Sequence, residues 1–142
     1  MAANSVAVVG LGYVGLPLAI AFGKKIKTIG FDTSEDKIIS YKKAIDPNAE
    51  VDREDFEQAV YLSFTNDPAA IKETDLVVVA VPTPITANKQ PDLRHLVSAS
   101  EIVGKNLKHG AIVVYESTVY PGVTEDICGP IIEKVSGLRY GK

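Results

Sequence analysis

The stretch VVGLGYVGLPLA, residues 8–19, places three glycines, Gly10, Gly12 and Gly15, inside an otherwise apolar run. Glycine costs about 0.5–1 kcal/mol relative to alanine inside a helix or a strand. Three glycines so close together therefore indicate that the chain needs bare backbone here. Their spacing is Gly-x-Gly-x-x-Gly, which by itself is a weak signal because glycine-rich turns are common.

The sequence on both sides of the glycines predicts a strand before them and a helix after them. Residues 6–9 are a short apolar run that is mostly β-branched, which is typical of a buried strand. Residues 13–24 place Val14, Leu18 and Phe22 four positions apart, as in a helix packed on a sheet. A second buried strand is predicted at residues 28–31, so the whole unit of strand, turn, helix and strand is short.

The rest of the chain continues the alternation of strands and helices. Further strands are predicted at residues 61–64, 76–81 and 111–115, and helices at residues 35–44, 52–60, after a loop at 82–91, and from near residue 123. Ser34 is expected to cap the first of these helices, and Pro130 to kink or interrupt the last one. This alternation predicts an α/β fold, a Rossmann-type doubly wound parallel sheet with right-handed crossovers.

The position of the glycine motif along the chain makes it more specific. The motif directly follows a predicted strand and opens a predicted helix, which is where dinucleotide-binding folds hold a pyrophosphate. There the first glycine makes the turn, the second lets the backbone approach the anion, and the third lets the helix meet the strand. The N–H groups of Tyr13 and Val14 are then expected to face the anion at the positive end of the helix dipole. The alternative is a tight turn that binds nothing.

Asp32 follows the second predicted strand, 20 residues after Gly12. In a dinucleotide fold an acid at this place accepts hydrogen bonds from the adenosine ribose hydroxyls. A 2'-phosphate about 4 Å away would meet a repulsion of ~4 kcal/mol per pair of unit charges at an effective dielectric near 20. Thr33 and Ser34 supply no arginine to offset it, so the sequence predicts NAD rather than NADP. The alternative is that Asp32 is an ordinary turn acid.

Composition and charge exclude several classes of function. The chain has 142 residues, 46% of them hydrophobic and 23% charged, which predicts one globular domain with an ordinary core. With 15 basic and 18 acidic residues the net charge is −3, and no basic stripe indicates nucleic acid as a partner. No apolar run is long enough to span a bilayer, and the N-terminal residues lack the basic flank and the long apolar core of a signal peptide, so we expect a cytoplasmic protein without a membrane partner.

The cysteine and the histidines give no indication of a metal site. Cys128 is the one cysteine, so the chain has no internal disulfide, which agrees with a reducing compartment. His95 and His109 lie in polar surroundings without ligand-like spacing to other donors, and we expect them to be solvated.

Four blocks of sequence, in this order, resemble one known family. They are GLGYVGLPLA at residues 10–19, VAVPTPI at 79–85, KQPDL at 89–93 and YESTVYPGVTE at 115–125. Together they resemble the N-terminal NAD-binding domain of the UDP-glucose/GDP-mannose dehydrogenase family, with the greatest likeness to bacterial UDP-N-acetylhexosamine 6-dehydrogenases of surface polysaccharide biosynthesis. The resemblance covers essentially the whole chain. It implies that residues 1–142 form an NAD-binding (Rossmann) domain with the strand order 3-2-1-4-5-6, incomplete at its C-terminal end because the chain stops before the sixth strand.

The resemblance implies a double oxidation and a set of cofactor contacts. The C6 alcohol of a nucleotide-linked sugar would be oxidised to the acid with two NAD, through a thiohemiacetal and a thioester on a catalytic cysteine. Tyr13 and Val14 match positions along the NAD pyrophosphate, and Thr83 matches a loop threonine at the phosphates. Lys37 matches a basic residue near the adenosine ribose. Thr118 matches a threonine beside the nicotinamide. Alternatively, Lys37 is a solvated helix charge, Thr83 part of a rigid turn, and Thr118 a cap after the fifth strand.

The resemblance also implies that the catalytic centre lies outside this chain. The nucleophilic cysteine, lysine and asparagine of the family, together with the central helix and the UDP-sugar-binding domain, follow later in the relatives. Cys128 is expected to be a packed apolar residue of the last helix rather than that nucleophile. The chain is thus predicted to bind NAD without turnover, within a parent enzyme that is a homo-oligomer. A stand-alone NAD-binding or redox-sensing module, and dehydrogenases of the 6-phosphogluconate or hydroxyacyl-CoA type, are the alternatives.

Overall fold

The part of the chain that the structure describes folds into a five-stranded parallel sheet with helices on both faces. The computed structural model describes residues 4–116 and 124–138. The strands are β1 (Ser5–Val9), β2 (Lys27–Phe31), β3 (Leu62–Thr65), β4 (Leu76–Val79) and β5 (Ile112–Tyr115). The helices are α1 (Gly15–Gly23), α2 (Glu35–Lys42), α3 (Arg53–Gln58), α4 (Arg94–Asn106) and α5 (Gly129–Ser136), with a 3-10 helix at Pro68–Glu73 and a π-helical turn at Thr124–Cys128.

The sheet order is β3-β2-β1-β4-β5, and every pairing is parallel. This confirms the predicted doubly wound fold and its strand order as far as the fifth strand. In the register, Val8 of β1 lies between Gly30 of β2 and Val78 of β4. The chain therefore moves outward in one direction from β1 to β3, and then restarts on the other side of β1 at β4. The turns that follow β1 and β4 diverge at this reversal and leave a crevice between them.

Alternate residues of the central strands point to opposite faces of the sheet and pack into two separate hydrophobic cores. Val6 and Val8 of β1 pack with α1 and α2 on one face of the sheet, whereas Ala7 and Val9 pack with α4 and Cys128 on the other. Because both faces are covered, β1 and β4 are apolar almost throughout, as the sequence predicted. Cys128 is fully buried, which confirms that it packs as an apolar residue.

The predicted elements all occur, but several boundaries differ. Strand β4 ends at Val79 rather than at residue 81: Ala80 still donates its N–H to the carbonyl of Val9, and the chain then turns away toward Pro82. Ser34 caps α2 as predicted, accepting a hydrogen bond from the N–H of Lys37. Pro130 does interrupt the last helix, since α5 begins only at Gly129 and the turn before it is π-helical. The 3-10 helix before β4 was not predicted.

Candidate functional site

A cleft of about 700 Å³ opens at the carboxyl ends of β1, β2 and β4. Its floor is the glycine turn after β1, one wall is the start of the α2 segment, and the other wall is the loop after β4 together with one side of α4. The lining residues include Gly10, Gly12, Tyr13, Val14, Asp32, Lys37, Asn48, Thr83, His95, Ser98, Ile102 and Glu116. The crevice that the strand order creates is thus an open groove bordered by most of the residues that the sequence singled out.

Three glycines shape the floor in three different ways. Gly10 has a φ of +97°, which side-chain-bearing residues rarely adopt, and a Cβ there would lie 2.9 Å from Val81 Cγ1. A Cβ on Gly15 would lie 1.6 Å from the carbonyl oxygen of Gly10, so only glycine lets α1 begin this close to β1. A Cβ on Gly12 would meet no atom within 4 Å, because it would stand in the open cleft. Gly12 is therefore not needed for packing within the described chain.

The start of α1 presents backbone donors to the cleft. Helix α1 has no side-chain cap at Val14 and no acidic residue in its first turn. Within the described residues the N–H groups of Gly12, Tyr13 and Val14 donate to no protein acceptor, although their neighbours Gly10 and Leu11 do. The first N–H groups of a helix carry its positive dipole end, which favours an anion, and the roles of Tyr13 and Val14 toward a pyrophosphate stay predictions. Gly15 lies behind it and does not line the cleft.

Asp32 stands beside this turn with its side chain 12% exposed. Its Oδ2 accepts the N–H of Leu11 at 2.9 Å, and its Oδ1 accepts the N–H of Ser34 at 2.9 Å. Both oxygens keep capacity for a further hydrogen bond, since a carboxylate accepts about four. Asp32 is thus an acid that organises its own turn and also faces the cleft. Its role toward a ribose stays a prediction.

Lys37 projects from α2 toward the same carboxylate. Its Nζ lies 3.7 Å from Asp32 Oδ2, with 43% of the side chain exposed. At this exposure the ion pair contributes little stability, and the ammonium group keeps its access to solvent and to the cleft. The arrangement is compatible with the predicted cofactor contact, which stays a prediction.

The opposite wall comes from the loop after β4 and from α4. Thr83 lines the cleft next to Pro82, as does Glu116, whose N–H donates to the carbonyl of Val79. His95 lies exposed on the first turn of α4 and also borders the cleft, so it is solvated but not remote from the site. Thr118, predicted beside the nicotinamide, lies outside the described residues.

Sequence reasoning missed several residues of this site. Asn48 borders the cleft from the loop after α2, where the carboxylate of Asp46 accepts the N–H groups of Asn48, Glu50 and Val51. Ser98 and Ile102 border it from α4, four residues apart on one helix face. Spacing along α4 could have indicated a shared face but not that this face looks into the cleft. Within the described ranges, no group of three or more histidine, cysteine or acidic residues could hold a metal ion.

Comparison with known proteins places this fold and cleft in one family. A family model described as "UDP-glucose/GDP-mannose dehydrogenase family, NAD binding domain" matches residues 4–141. The chain belongs to this family. The part of the family that it matches is the NAD binding domain, which confirms the resemblance carried by the four sequence blocks.

Individual relatives and solved structures agree with this assignment. The chain is 53% identical over 137 residues to UDP-N-acetyl-D-glucosamine 6-dehydrogenase of Pseudomonas aeruginosa, covering 96% of this chain and 32% of that protein. It is 49% identical over 139 residues to protein CapL of Staphylococcus aureus, covering 98% and 32%. It superposes with a TM-score of 0.88 on a GDP-mannose dehydrogenase from P. aeruginosa solved as a ternary complex, at 29% identity over 94% of this chain and 33% of that one.

The match ends well short of the relatives' own length. The chain spans about a third of each of the first relatives it matches. The family assignment therefore rests on a match to the cofactor domain alone. In the part of the chain that the structure describes, no helix is long and apolar enough to cross a membrane.

Proposed function

We propose that this chain is the NAD-binding domain of an enzyme that oxidises the C6 alcohol of a UDP-N-acetylhexosamine to the uronate with two NAD. The observation that carries the proposal is the combination of unpartnered N–H groups and open space at Gly12, at the floor of the cleft. A Cβ on Gly12 would occupy the place where a diphosphate approaches the backbone. The names of the relatives support the sugar class, since two of the first three are UDP-N-acetyl-D-glucosamine 6-dehydrogenases.

In this proposal each wall of the cleft has its own task. The N–H groups of Gly12, Tyr13 and Val14 bind the diphosphate, aided by the dipole of α1. Asp32 accepts hydrogen bonds from the ribose hydroxyls. The Nζ of Lys37 lies 3.7 Å from Asp32 Oδ2, close enough to contact the same ribose. Thr83 borders the diphosphate from the loop after β4. Thr118 is proposed for the nicotinamide end on the family resemblance alone.

Bound NAD supplies the hydride acceptor, whereas the chain's own residues bind and orient it. The nucleophilic cysteine, the lysine and asparagine of the catalytic centre, the central helix and the UDP-sugar-binding domain are proposed to lie outside residues 1–142. Cys128 does not serve as that nucleophile, because it is fully buried in the core that α4 covers. The cytoplasmic location, the homo-oligomeric parent and the lack of a nucleic-acid partner stay predictions.

Calorimetric titration with NAD, NADP and UDP-N-acetylglucosamine tests the proposal. We expect heat with NAD, much weaker binding of NADP, and none with the UDP-sugar. A 2'-phosphate near the Asp32 carboxylate meets a repulsion of ~4 kcal/mol, which is roughly a thousandfold in affinity. Absence of NAD binding, or NADP binding as tight as that of NAD, would contradict the proposal.

Replacement of Asp32 sharpens this test. Asp32→Ala should weaken NAD binding about tenfold, through lost ribose hydrogen bonds, and narrow the gap between NAD and NADP. Asp32→Asn keeps the size of the side chain and one carbonyl acceptor for the N–H of Leu11 or Ser34, so it separates the effect of charge from loosening of the turn. Asp36→Asn is the matched control, because it removes an exposed carboxylate from the same helix segment outside the cleft lining.

A further inference from the structure

The two peptide groups of Leu11, inside the glycine turn, are each held by a side chain from the segment that follows β2. Its N–H donates to Asp32 Oδ2 at 2.9 Å. Its carbonyl oxygen accepts the hydroxyl of Tyr41, on α2, at 2.7 Å. The Tyr41 bond is buried and joins residues 30 positions apart.

The second of these bonds decides where the N–H of Gly12 points. The carbonyl of Leu11 and the N–H of Gly12 belong to the same peptide group, which is planar and trans. In a trans peptide the carbonyl and the N–H point in opposite directions. A hydroxyl that holds the Leu11 carbonyl toward the core therefore turns the Gly12 N–H away from the core. On that side lie the open cleft and the unpartnered amides at the start of α1.

Tyr41 is well built for this task. Its side chain is buried, and its ring packs against Phe64 and Phe56 with centroid separations of 5.3 and 6.2 Å. Burial, reinforced by the nearby carboxylates of Asp46 and Asp32, raises the pKa of Tyr41 to about 12. The hydroxyl therefore keeps its proton at ordinary pH and remains a donor. Tyr41 does not appear in the cleft lining, so it acts only through the backbone that it holds.

We propose that Tyr41 is a positioning residue for the cofactor: its hydroxyl fixes the Leu11–Gly12 peptide so that the Gly12 N–H faces the diphosphate. The proposal rests on the proposed NAD function. Without the hydroxyl, the Leu11 carbonyl loses its buried partner and the peptide is free to rotate, since the glycine beside it tolerates the backbone angles that rotation needs. A rotated peptide would present a carbonyl oxygen, rather than an N–H, to an anion.

The test is Tyr41→Phe, which keeps the ring and removes only the hydroxyl. We expect the dissociation constant for NAD to rise about tenfold, as for loss of one hydrogen bond to a charged group. We also expect the Gly12 amide resonance of the ligand-free chain to shift. Thr74→Val is the matched control: it removes another buried bond from a hydroxyl to a carbonyl, at 2.8 Å to Ile71, at the far end of the sheet. It should lower thermal stability to a similar degree and leave NAD binding unchanged.

The outcomes separate this proposal from the function on which it rests. If the wild-type chain binds NAD and Tyr41→Phe binds it within twofold as tightly, the positioning role is overturned and the NAD function stands. An equal loss of NAD affinity in Thr74→Val would also overturn it, because general loosening would then explain both variants. If the wild-type chain does not bind NAD, both proposals fail.

Amide hydrogen exchange on the wild-type chain tests the peptide orientation even if Tyr41→Phe does not fold. We expect the Gly12 N–H to exchange rapidly without ligand, because it has no protein acceptor within the described residues. It should become protected when ADP, which carries the same diphosphate, is added. Protection without ligand, or no change on adding ADP, would mean that this N–H does not face the anion site and would overturn the proposal.

Discussion

Adding one methyl group at each of two glycines should separate the binding role of the turn from its packing role. Gly12→Ala places a Cβ where no atom lies within 4 Å, whereas Gly15→Ala places one 1.6 Å from the Gly10 carbonyl oxygen. The two substitutions are chemically identical and lie three residues apart. Gly15→Ala should nevertheless lower the stability of the fold, whereas Gly12→Ala should weaken NAD binding.

The magnitudes follow from these surroundings. At Gly15 the obstacle is backbone, so α1 must shift by more than about 1 Å, and we expect a loss of about 3 kcal/mol or more, near the upper end for overpacked sites. That corresponds to a fall in Tm of roughly 10 °C for a chain of this size. At Gly12 the φ angle is outside the left-handed region, so alanine is tolerated and should even stabilise by about 0.4–1 kcal/mol through the unfolded state.

For cofactor binding we expect the opposite: among the variants that fold, Gly12→Ala should lose more NAD affinity than Gly15→Ala. The Gly12→Ala methyl stands in the cleft and pushes a diphosphate away from the amides, at a cost of one charge-assisted hydrogen bond or more. A loss of about 2–3 kcal/mol raises the dissociation constant for NAD roughly 30- to 150-fold. Thermal unfolding followed by circular dichroism gives Tm, and calorimetric titration gives the affinity.

Two results would refute this reasoning. One is a Gly12→Ala variant that melts as far below the wild type as Gly15→Ala does, because the methyl would then have met the chain itself. The other is a stable Gly12→Ala variant that binds NAD within twofold of the wild type. In that case the open space at Gly12 would not be where the diphosphate lies.

Two further predictions concern stability. The Arg94 guanidinium and N–H donate hydrogen bonds to Asp92 and lower the pKa of its carboxyl to about 2 from its usual 3.8. The ionised carboxylate therefore stabilises the folded state above pH 3.8, and this stabilisation is lost as the pH falls through about 2. In urea unfolding across this range, the free energy of unfolding should fall more steeply for the wild type than for Asp92→Asn, and parallel curves would contradict the assignment. Cys128 is 0% exposed, so a thiol reagent should label it at least about a hundredfold more slowly in the native chain than in urea, and labelling within tenfold of the unfolded rate would show that α5 does not seal this core.

Local patterns in the sequence were sufficient for the fold and for the floor of the site. The short apolar runs predicted the buried strands, because a parallel sheet covered on both faces leaves no polar position along them. Gly10, Gly12 and Gly15 predicted a strand-turn-helix unit, because the backbone conformation and close approach that they allow are properties of neighbouring residues. The doubly wound topology followed from the alternation of strands and helices and the right-handed crossover rule, whereas the strand order followed from the dinucleotide-binding pattern that the glycine motif and the family resemblance indicate.

The element boundaries were less predictable, and the reasons are tertiary. Strand β3 was predicted at residues 61–64 but runs Leu62–Thr65. The N–H of Tyr61 donates to the carbonyl of Gly23 at the end of α1, and only the Tyr61 carbonyl reaches β2, where it accepts the N–H of Thr28. Strand β4 is shorter than its apolar run, since only the residues opposite β1 and β5 can continue the ladder. Apolar character shows that a residue is buried, but it does not show which strand residue pairs with which.

By itself the sequence determined the family, the fold class and the glycine turn, because each of these is written in residues close together along the chain. Only the tertiary structure decided which distant side chains complete the site. Nothing in the spacing of Tyr41 indicates that its hydroxyl holds the carbonyl of Leu11, and nothing in that of Asn48 or Ser98 indicates that they border the same cleft. Such contacts depend on how whole elements pack against the sheet, and residue spacing along the chain carries no record of that packing.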